Sequence, residues 1–546
     1  MLSIRFHTLA RSSCGLRGIA SFSYMDSNPA KQTNTKVCTP IYYVNGEPHI
    51  GHIYSTTLAD AMARWENVKG NLSFLTTGTD EHGQKVQKEA EKRKMDVKSY
   101  CDDVASSFQK ELQHYSINIG RFIRTTDPDH VTKVKRVWDS LMANGDLYED
   151  NYRGYYCRSD EAFLTAKQVI EKDGSLFCKE NGNAVEIVEE RNWMFRLQKY
   201  KPQLLSFLRA NPSWMIPSNF QRDVTQLIEE SSQDLSVSRP LSRVPWAIPV
   251  GDGNGVYVWL DALTNYLTTS EGRAFDEVKH VIGKDIVKFH GYYYPCLLMA
   301  LGESLPTQMI CHNHWTIGGA KISKSKGNYI PLSKLRAFIP GELIRAYLLT
   351  ENTLTRDGDF SLEKLLERTN DFSDIYGNLV MRSLGKNIAG PVLERGVGTV
   401  QASEETRDRL RHLIDGVTDK YDHVLFSEGY ELVTAEMRTM NTFFNEMHPW
   451  TITKEVKAGD DSNLPTLTSI LMDVWESLRV CSVLLQPIIP TYSTRVLSIL
   501  FHEDSLNLLP LSELDSHPLE EKHMQCSSER VFQKLSKAEQ AKFLRL

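Results

Sequence analysis

Residues 36–52 read KVCTPIYYVNGEPHIGH, and the order of residue types in this stretch decides the fold. KVCTPIYY (36–43) mixes β-branched, apolar and aromatic residues and reads as a strand ending at Pro40 and the tyrosines. VNGEP is a loop of turn formers. From His49 the period changes. Leu58, Met62 and Trp65 fall at i, i+4 and i+7, the spacing of one helical face, and Gly70 is the stop. LSFLT (72–76) reads as the next strand, followed by GTDEHGQK and another helix. Strand, loop and helix in alternation predict an α/β domain built on a parallel sheet.

Further along, residues 145–250 lose this rhythm. They are rich in turn formers, short polar strands and isolated tryptophans, and read as an insertion. The α/β pattern returns with VYVWL (256–260), VKHVIG (278–283) and TQMICH (307–312). Gly318–Gly327 is a loop rich in lysine and glycine. From about 361 to 500 apolar residues recur at helical spacing, as in Leu362, Leu365 and Leu366, then Leu467, Leu471, Val474 and Leu478. That predicts a helical bundle or solenoid. The last stretch, SSERVFQKLSKAEQAKFLRL, predicts a basic amphipathic helix. Phe532, Leu535 and Phe543 would pack, and Lys534, Lys537 and Lys542 would face solvent.

A chain of 546 residues divides into three or four units rather than one. With 41% hydrophobic and 24% charged residues it has the composition of a soluble globular protein. No stretch approaches the ~18–20 apolar residues of a membrane span. The net charge of −6 carries no global sign of nucleic-acid binding, so a basic footprint would be local. The nine cysteines form no framework, which suits free thiols in a reducing compartment. Residues 1–25 hold Arg5, His7, Arg11 and Arg17, five serines, one threonine and no acidic residue, and Leu2, Phe6 and Leu9 share a helical face. This is the pattern of a mitochondrial import signal and predicts residence in the mitochondrial matrix.

Two motifs carry chemistry. His49-Ile50-Gly51-His52 stands where a strand gives way to a helix, at the sheet edge where ligands bind. A helix N-terminus favours anions, imidazoles donate to phosphate oxygens, and Gly51 leaves room for a flat base. With 16 histidines and 32 glycines in 546 residues, H-x-G-H arises about 0.03 times by chance, so it points to a site without deciding the chemistry. The second motif is Lys321-Ile322-Ser323-Lys324-Ser325, with Lys326 beside it, between Gly319 and Gly327. Three lysines on such a loop can close over a triphosphate and stabilise departing pyrophosphate. Alone it would read as a solvated basic loop.

Together and in this order, the two motifs resemble the signatures of class I aminoacyl-tRNA synthetases, with Ile322 where that family often has Met. The specific resemblance is to methionyl-tRNA synthetases, through TPIYYVNGEPHIGH (39–52), TTGTDEHGQK (76–85), VYVWLDALTNY (256–266), GKDIVKFH (283–290), KISKSKGN (321–328), RDGDFS (356–361), GNLVMR (377–382) and PW (449–450). It implies a Rossmann-type parallel-sheet catalytic domain over 34–150 and 251–328, split by a connective insertion at 151–250. A stem-contact region follows at 329–375, an all-α anticodon-binding domain at 376–515 and a C-terminal tail and helix at 516–546, after a transit peptide of residues 1–30.

The resemblance implies activation of L-methionine with ATP and Mg²⁺ and transfer to tRNA(Met). It assigns His49, His52, Lys321 and Lys324 to catalysis, and these with Gly51, Gly283, Asp285 and Ser323 to ATP. Asp80 would take the substrate ammonium, because a charge-assisted hydrogen bond needs an anion. Ile41, Tyr43, Trp259, Ala262, Leu263, Tyr266, Ile286 and His290 would surround the side chain. A thioether is a weak acceptor, so shape carries the selectivity, with Tyr43 and His290 offering hydrogen bonds near sulfur. Asn378, Arg382 and Trp450 match positions that read an anticodon, and an indole, an amide and a guanidinium suit unpaired bases. Leu263 and Pro40 depart from residues that some members carry.

A second departure is in the insertion. Where relatives carry paired Cys-x-x-Cys knuckles, this chain pairs Cys157 with Asp160 and Cys178 with Asn181, a poor tetrahedral set. No zinc is expected, nor a separate editing domain or membrane contact, and a monomer is expected.

Overall fold

The computed structural model describes residues 32–546 except 158–161, 165–167, 173, 180–181, 252, 323–328, 396–399, 502–510, 512–513, 515–525 and 528–529. The expected import signal, Asp160, Asn181, Ser323 and Lys324 lie outside the described residues.

Six parallel strands form the central sheet: β1 (Asn34–Tyr43), β2 (Leu72–Asp80), β3 (Arg121–Arg124), β4 (Met215–Ile216), β5 (Glu277–Gly283) and β6 (Gln308–His312). Their spatial order is β3-β2-β1-β5-β6-β4, and every neighbouring pair is parallel. The order runs outward in both directions from β1 and β5, so a topological switch point lies between them, where open α/β sheets bind ligands.

Pro40 does not end β1. The strand runs through it, with a register shift between Cys38 and Ile41 that absorbs the missing N–H. Beyond the shift β1 stays paired with β2 as far as Tyr43↔Asp80, whereas its pairing with β5 stops at Cys38↔His280. The two strands therefore part at Pro40, and a crevice opens.

Helix α1 (Ile50–Val68) follows β1 and buries Leu58, Met62 and Trp65, the predicted face. Gly70, at φ +94°, turns the chain into β2. Of the three stretches that mark the return of the α/β pattern, VKHVIG and TQMICH are the strands β5 and β6. VYVWL instead opens the helix α2 (Val258–Thr268), which is nearly all buried.

The insertion is an antiparallel sheet dominated by a long pair, Leu147–Cys157 against Ala184–Phe195, rather than by short strands. Its first strand starts at Leu147, where the rhythm of the sequence changes. Cys157 and Cys178 are buried in a small cluster with Val185. Residues 197–230, expected inside the insertion, belong with the central sheet. Leu204, Leu208, Phe220, Val224 and Ile228 pack in one core with Cys311 and Ile282, and Met215–Ile216 adds the edge strand. The eight described cysteines are free thiols.

From Leu362 the chain is helical, and Leu464–Leu484 runs buried through the middle with Leu467, Leu471, Val474 and Leu478 inside. Among the described residues no helix is long and apolar enough to cross a membrane. The C-terminal helix is shorter than its sequence pattern, Lys537–Phe543, because the reciprocal bonds of Ser536 and Glu539 start it there. Before it, Phe532 stacks on Tyr492 at 4.4 Å. Within it, Phe543 is fully buried near Phe338, and just before it Lys534 pairs with Asp374 at 2.5 Å.

Three regions of the chain are joined at one buried ionic centre. Asp60 of α1 accepts from Arg64 at 2.7 Å, from the Asn118 N–H at 2.8 Å and from Arg345 at 2.5 Å. Arg345, on helix α3 (Gly341–Thr350), is fully buried and also donates to Pro487 O and Ile488 O. Glu342 on the same helix accepts from the N–H groups of Thr491 and Tyr492. Removing one member of such a cluster leaves a buried charge uncompensated. Arg345→Met is expected to lower the unfolding free energy by about 3–5 kcal/mol, as read by urea denaturation.

Candidate functional site

A cavity of about 520 Å³ lies where β1 and β5 part. Pro40, Ile41 and Tyr43 reach it from β1, Asp80 from the end of β2, and Asp285, Ile286 and His290 from the segment after β5. Trp259, Ala262, Leu263 and Tyr266 form a wall, because positions i, i+3, i+4 and i+7 share one face of α2. His52 and Lys321 line the same space. Residues from the front of the chain and from its middle thus meet around one cavity.

His49 caps α1. Its Nδ1 accepts from the Gly51 N–H at 3.1 Å, while its own N–H donates to His52 Nδ1 at 3.2 Å. The two rings stack at 3.7 Å. With each Nδ1 acting as acceptor, the ring proton of a neutral imidazole sits on Nε2 and makes that nitrogen a donor. His52 is wedged between Tyr42 at 4.8 Å and Phe108 at 5.2 Å, and Tyr42 Oη also donates to His52 O. A β-carbon at Gly51 would meet the His49 ring at 3.0 Å, so a side chain there would have to push the capping ring aside. One turn on, Ser55 bonds His312 Nε2 at 2.7 Å and braces the helix on β6.

Opposite stands the lysine hairpin, Trp315–Ile317 turning through Gly318 and Gly319, both at positive φ, into Ala320–Lys321. The stretch RDGDFS holds it. Gly358–Asp359 pairs with Trp315–Ile317, and Asp359 accepts from Thr316 at 2.7 Å and from the Gly319 N–H at 3.0 Å. Lys321 reaches back to Asp285 at 2.7 Å, and His314 meets the same carboxylate at 3.0 Å. Burial alone would raise the Asp285 carboxyl. The hydrogen bonds from His314 and Lys321 outweigh it and hold the group well below the usual carboxylate range. Gly283, the last residue of β5, leads into this turn.

His290 lies on a π-helical turn, Phe289–Tyr293, a distortion frequent at functional sites. Its Nδ1 donates to Ile286 O at 3.0 Å, and its Nε2 accepts from Tyr266 Oη at 2.7 Å. Both nitrogens are therefore engaged. This corrects the expectation that His290 offers a hydrogen bond near sulfur: its polarity is spent on the wall, and the cavity meets a neutral ring. Phe289 stacks on Trp259 at 3.3 Å and stiffens the opposite side.

In the helical region, Asn378 and Arg382 stand one turn apart on α4 (Asn378–Leu384). The Arg382 guanidinium lies 5.8 Å from the ring of Trp450, which is 37% exposed, and donates to Asn445 at 2.6 Å. Asn378 instead bonds Asp374, and none of the three lines the cavity. Sequence reasoning missed Asn45, Lys85, Val258 and Asn265 at the cavity. Lys85 carried a signal, since its motif TDEHGQK was already singled out.

A parallel sheet with a histidine-capped helix at its switch point, facing a lysine hairpin across one cavity, defines an enzyme that handles a nucleotide together with a second, largely apolar substrate. The family described as tRNA synthetases class I (M) matches residues 35–384. A mitochondrial methionine–tRNA ligase of Homo sapiens is 35% identical over 519 residues, covering 89% of this chain and 86% of that protein. One of Candida albicans is 34% identical, covering 84% and 89%. The methionyl-tRNA synthetase of Mycobacterium tuberculosis, solved in complex with methionyl-adenylate, matches with a TM-score of 0.83 and 30% identity over 92% of this chain and all of that one. The chain belongs to the methionyl-tRNA synthetase family of class I.

Two buried histidines make the site's stability depend on pH. Desolvation pushes His290 and His312 from their ordinary 6.5 down to about 4. Between those values the unfolded chain binds protons that the folded chain does not, so folding is favoured less as pH falls. Stability present above about pH 6.5 is lost toward pH 4, by up to about 1.4 kcal/mol per pH unit for each ring. Urea titrations at pH 7 and pH 5 check this, and His312→Gln is expected to lose less on acidification than the parent.

Proposed function

We propose that this chain activates L-methionine with ATP, releasing pyrophosphate, and transfers the methionyl group from the adenylate to tRNA(Met) for mitochondrial translation. The observation that carries this reading is the single cavity shared by His52, Lys321, Asp80 and the apolar wall of α2.

Methionine enters with its ammonium toward Asp80 and its side chain against Ile41, Trp259, Ala262, Leu263, Tyr266, Ile286 and His290, with Tyr43 at the rim. The carboxylate is then directed outward, toward the N-terminus of α1. ATP lies along that terminus. His49 and His52 donate from Nε2 to phosphate oxygens, Gly51 gives the adenine room, and Gly283 and Asp285 take the ribose. ATP comes as its Mg²⁺ complex, the ion held by phosphate oxygens and water, which suits a hard ion that keeps its hydration. Lys321 exchanges partners in this scheme. It rests on Asp285 and moves to the triphosphate, which frees Asp285 for a ribose hydroxyl. Ser323 and Lys324, next in sequence, would join it on the phosphates.

No side chain serves as a nucleophile. The methionine carboxylate attacks the α-phosphorus in line, the P–O bond to pyrophosphate breaks, and the imidazoles and lysines stabilise the charge that builds on the phosphate oxygens. A ribose hydroxyl at the 3′ end of the tRNA then attacks the adenylate carbonyl, and AMP leaves. Residues 34–146 and 251–328, with 197–230 packed on the same sheet, do this chemistry. Residues 329–375 face the tRNA stem, and 376–515 bring Asn378, Arg382 and Trp450 to the anticodon, with Trp450 as a stacking surface. The insertion's antiparallel sheet needs no zinc, the C-terminal helix packs back on the body, residues 1–30 direct import to the matrix, and the enzyme works as a monomer away from membranes.

Amino-acid-dependent ATP–pyrophosphate exchange on protein truncated near residue 30 tests the reading. Methionine, alone among the amino acids, is expected to drive exchange. Replacing His52 or Lys321 by Ala is expected to slow it by roughly 10²–10³, the scale of a lost transition-state donor, while tRNA still binds. Asp80→Asn is expected to lower kcat/KM for methionine by roughly 10- to 100-fold. Exchange driven by another amino acid, or full activity in both the His52 and the Lys321 variants, would overturn the assignment.

A further inference from the structure

Behind the wall of the cavity lies a closed cluster that the chemistry above does not use. Asp261, 1% exposed, is on the face of α2 turned away from the cavity. His82 donates from Nδ1 to one carboxylate oxygen at 2.7 Å, and His130 donates from Nε2 to the other at 2.9 Å. His130 is fully buried, and its Nδ1 lies 3.0 Å from Thr268 Oγ1, two turns further along the same helix. Burial raises the Asp261 carboxyl, but the two histidines outweigh it and hold the group at about 2.

The partners come from rigid places. His82 stands two residues after Asp80. Between them Glu81 is fully buried, bonded to Arg124 at 2.6 and 2.9 Å and to Thr79 and Thr126, and its carbonyl accepts from Trp246. The loop that carries Asp80 therefore cannot shift without breaking this network. The far end of α2 is also tied down. Lys36 of β1, fully buried, donates to Tyr266 O, Thr269 Oγ1 and Ser270 Oγ at 2.7–2.8 Å and neutralises the helix C-terminus.

A substrate that puts its ammonium on Asp80 and its side chain on α2 has its length measured between those two elements. His82–Asp261 is the direct polar link between them. We propose that Asp261, gripped by His82 and His130, is a positioning residue that sets the spacing between the Asp80 carboxylate and the α2 wall, and thereby the length of amino-acid side chain the cavity accepts. This rests on the reading of the cavity as the methionine site.

Methionine-dependent pyrophosphate exchange on the full chain tests it with Asp261→Asn, His82→Ala and His82→Asn. An asparagine amide at 82 can replace the Nδ1 donor. Asp261→Asn and His82→Ala are expected to raise KM for methionine about tenfold, with KM for ATP changed by less than about twofold, since only one substrate spans the link. The preference for methionine over ethionine, one methylene longer, is expected to fall about fivefold or more. His82→Asn is expected to restore most of both. A merely structural cluster would lower the melting temperature and the active fraction but leave both KM values and the preference unchanged, and that result overturns the proposal. So does an asparagine at 82 that performs no better than alanine. Should Asp261→Asn fail to fold, the pair at 82, at the edge of the cluster, decides. Absence of methionine-dependent exchange in the parent protein would instead sink the functional reading, so the two failures are distinguishable.

Discussion

The parting of β1 from β5 at Pro40 is the constraint from which the site follows. Proline has no N–H to give a neighbouring strand, and the register shift around it ends the pairing with β5 at Cys38 while the pairing with β2 continues. Past that point Tyr42 and Val44 enter a cluster with Tyr100 and Phe108, α1 enters a second core, and the chain after β5 enters a third with residues 294–300. A crevice at the carboxyl edge of the sheet results. Side chains from five separate segments can project into it without leaving any strand unpaired along its main length.

What surrounds the crevice is held by polar contacts rather than by apolar packing alone. Asp359 fixes the lysine hairpin, His312 and Ser55 brace α1, Glu81 and Arg124 lock the loop after β2, and Lys36 ties down the end of α2. Each joins residues distant in sequence, and all but the Asp359 contact are buried or half-buried, where a satisfied network is stiff and a broken one is costly. Catalysis by positioning and charge stabilisation depends on that stiffness, because no covalent intermediate on the protein compensates for a misplaced substrate. The same logic extends to α1 as a whole. Its first turn carries His49 and His52, its middle carries Asp60 in the buried centre with Arg345, and its last turn carries Trp65, whose indole donates to Asp422 of the helical region at 2.8 Å. One rod therefore runs from the nucleotide end of the site to the domain that carries Trp450.

Much of this was legible in the chain itself. Spacing alone places α1 and its buried face, the strands at 278–283 and 307–312 and the helical region after 361, because the periods of 2 and 3.6 come from backbone geometry that every L-residue shares. The two phosphate-type motifs were legible for a similar reason: glycine, histidine and lysine at short spacing limit what a loop can do. Other features were misread. Pro40 looked like a strand end, since a bulge that accommodates it is visible only beside the partner strand. VYVWL marked the return of the α/β pattern without saying whether it was strand or helix, since β-branched and aromatic residues also serve a fully buried helix. Residues 197–230 looked like insertion, since nothing local says which sheet an apolar helix face will cover. The sequence by itself determined the kinds of element, their order and the chemical types gathered in two motifs, because these rest on interactions within a few residues. Only the tertiary structure decided that His290 spends both nitrogens on the wall, that Lys321 rests on Asp285, and that Asp261 is gripped by His82 and His130. Apart from the bond of His290 to Ile286 O four residues back, those pairings join residues 24 to 179 positions apart, and which donor meets which acceptor is set by how the layers pack.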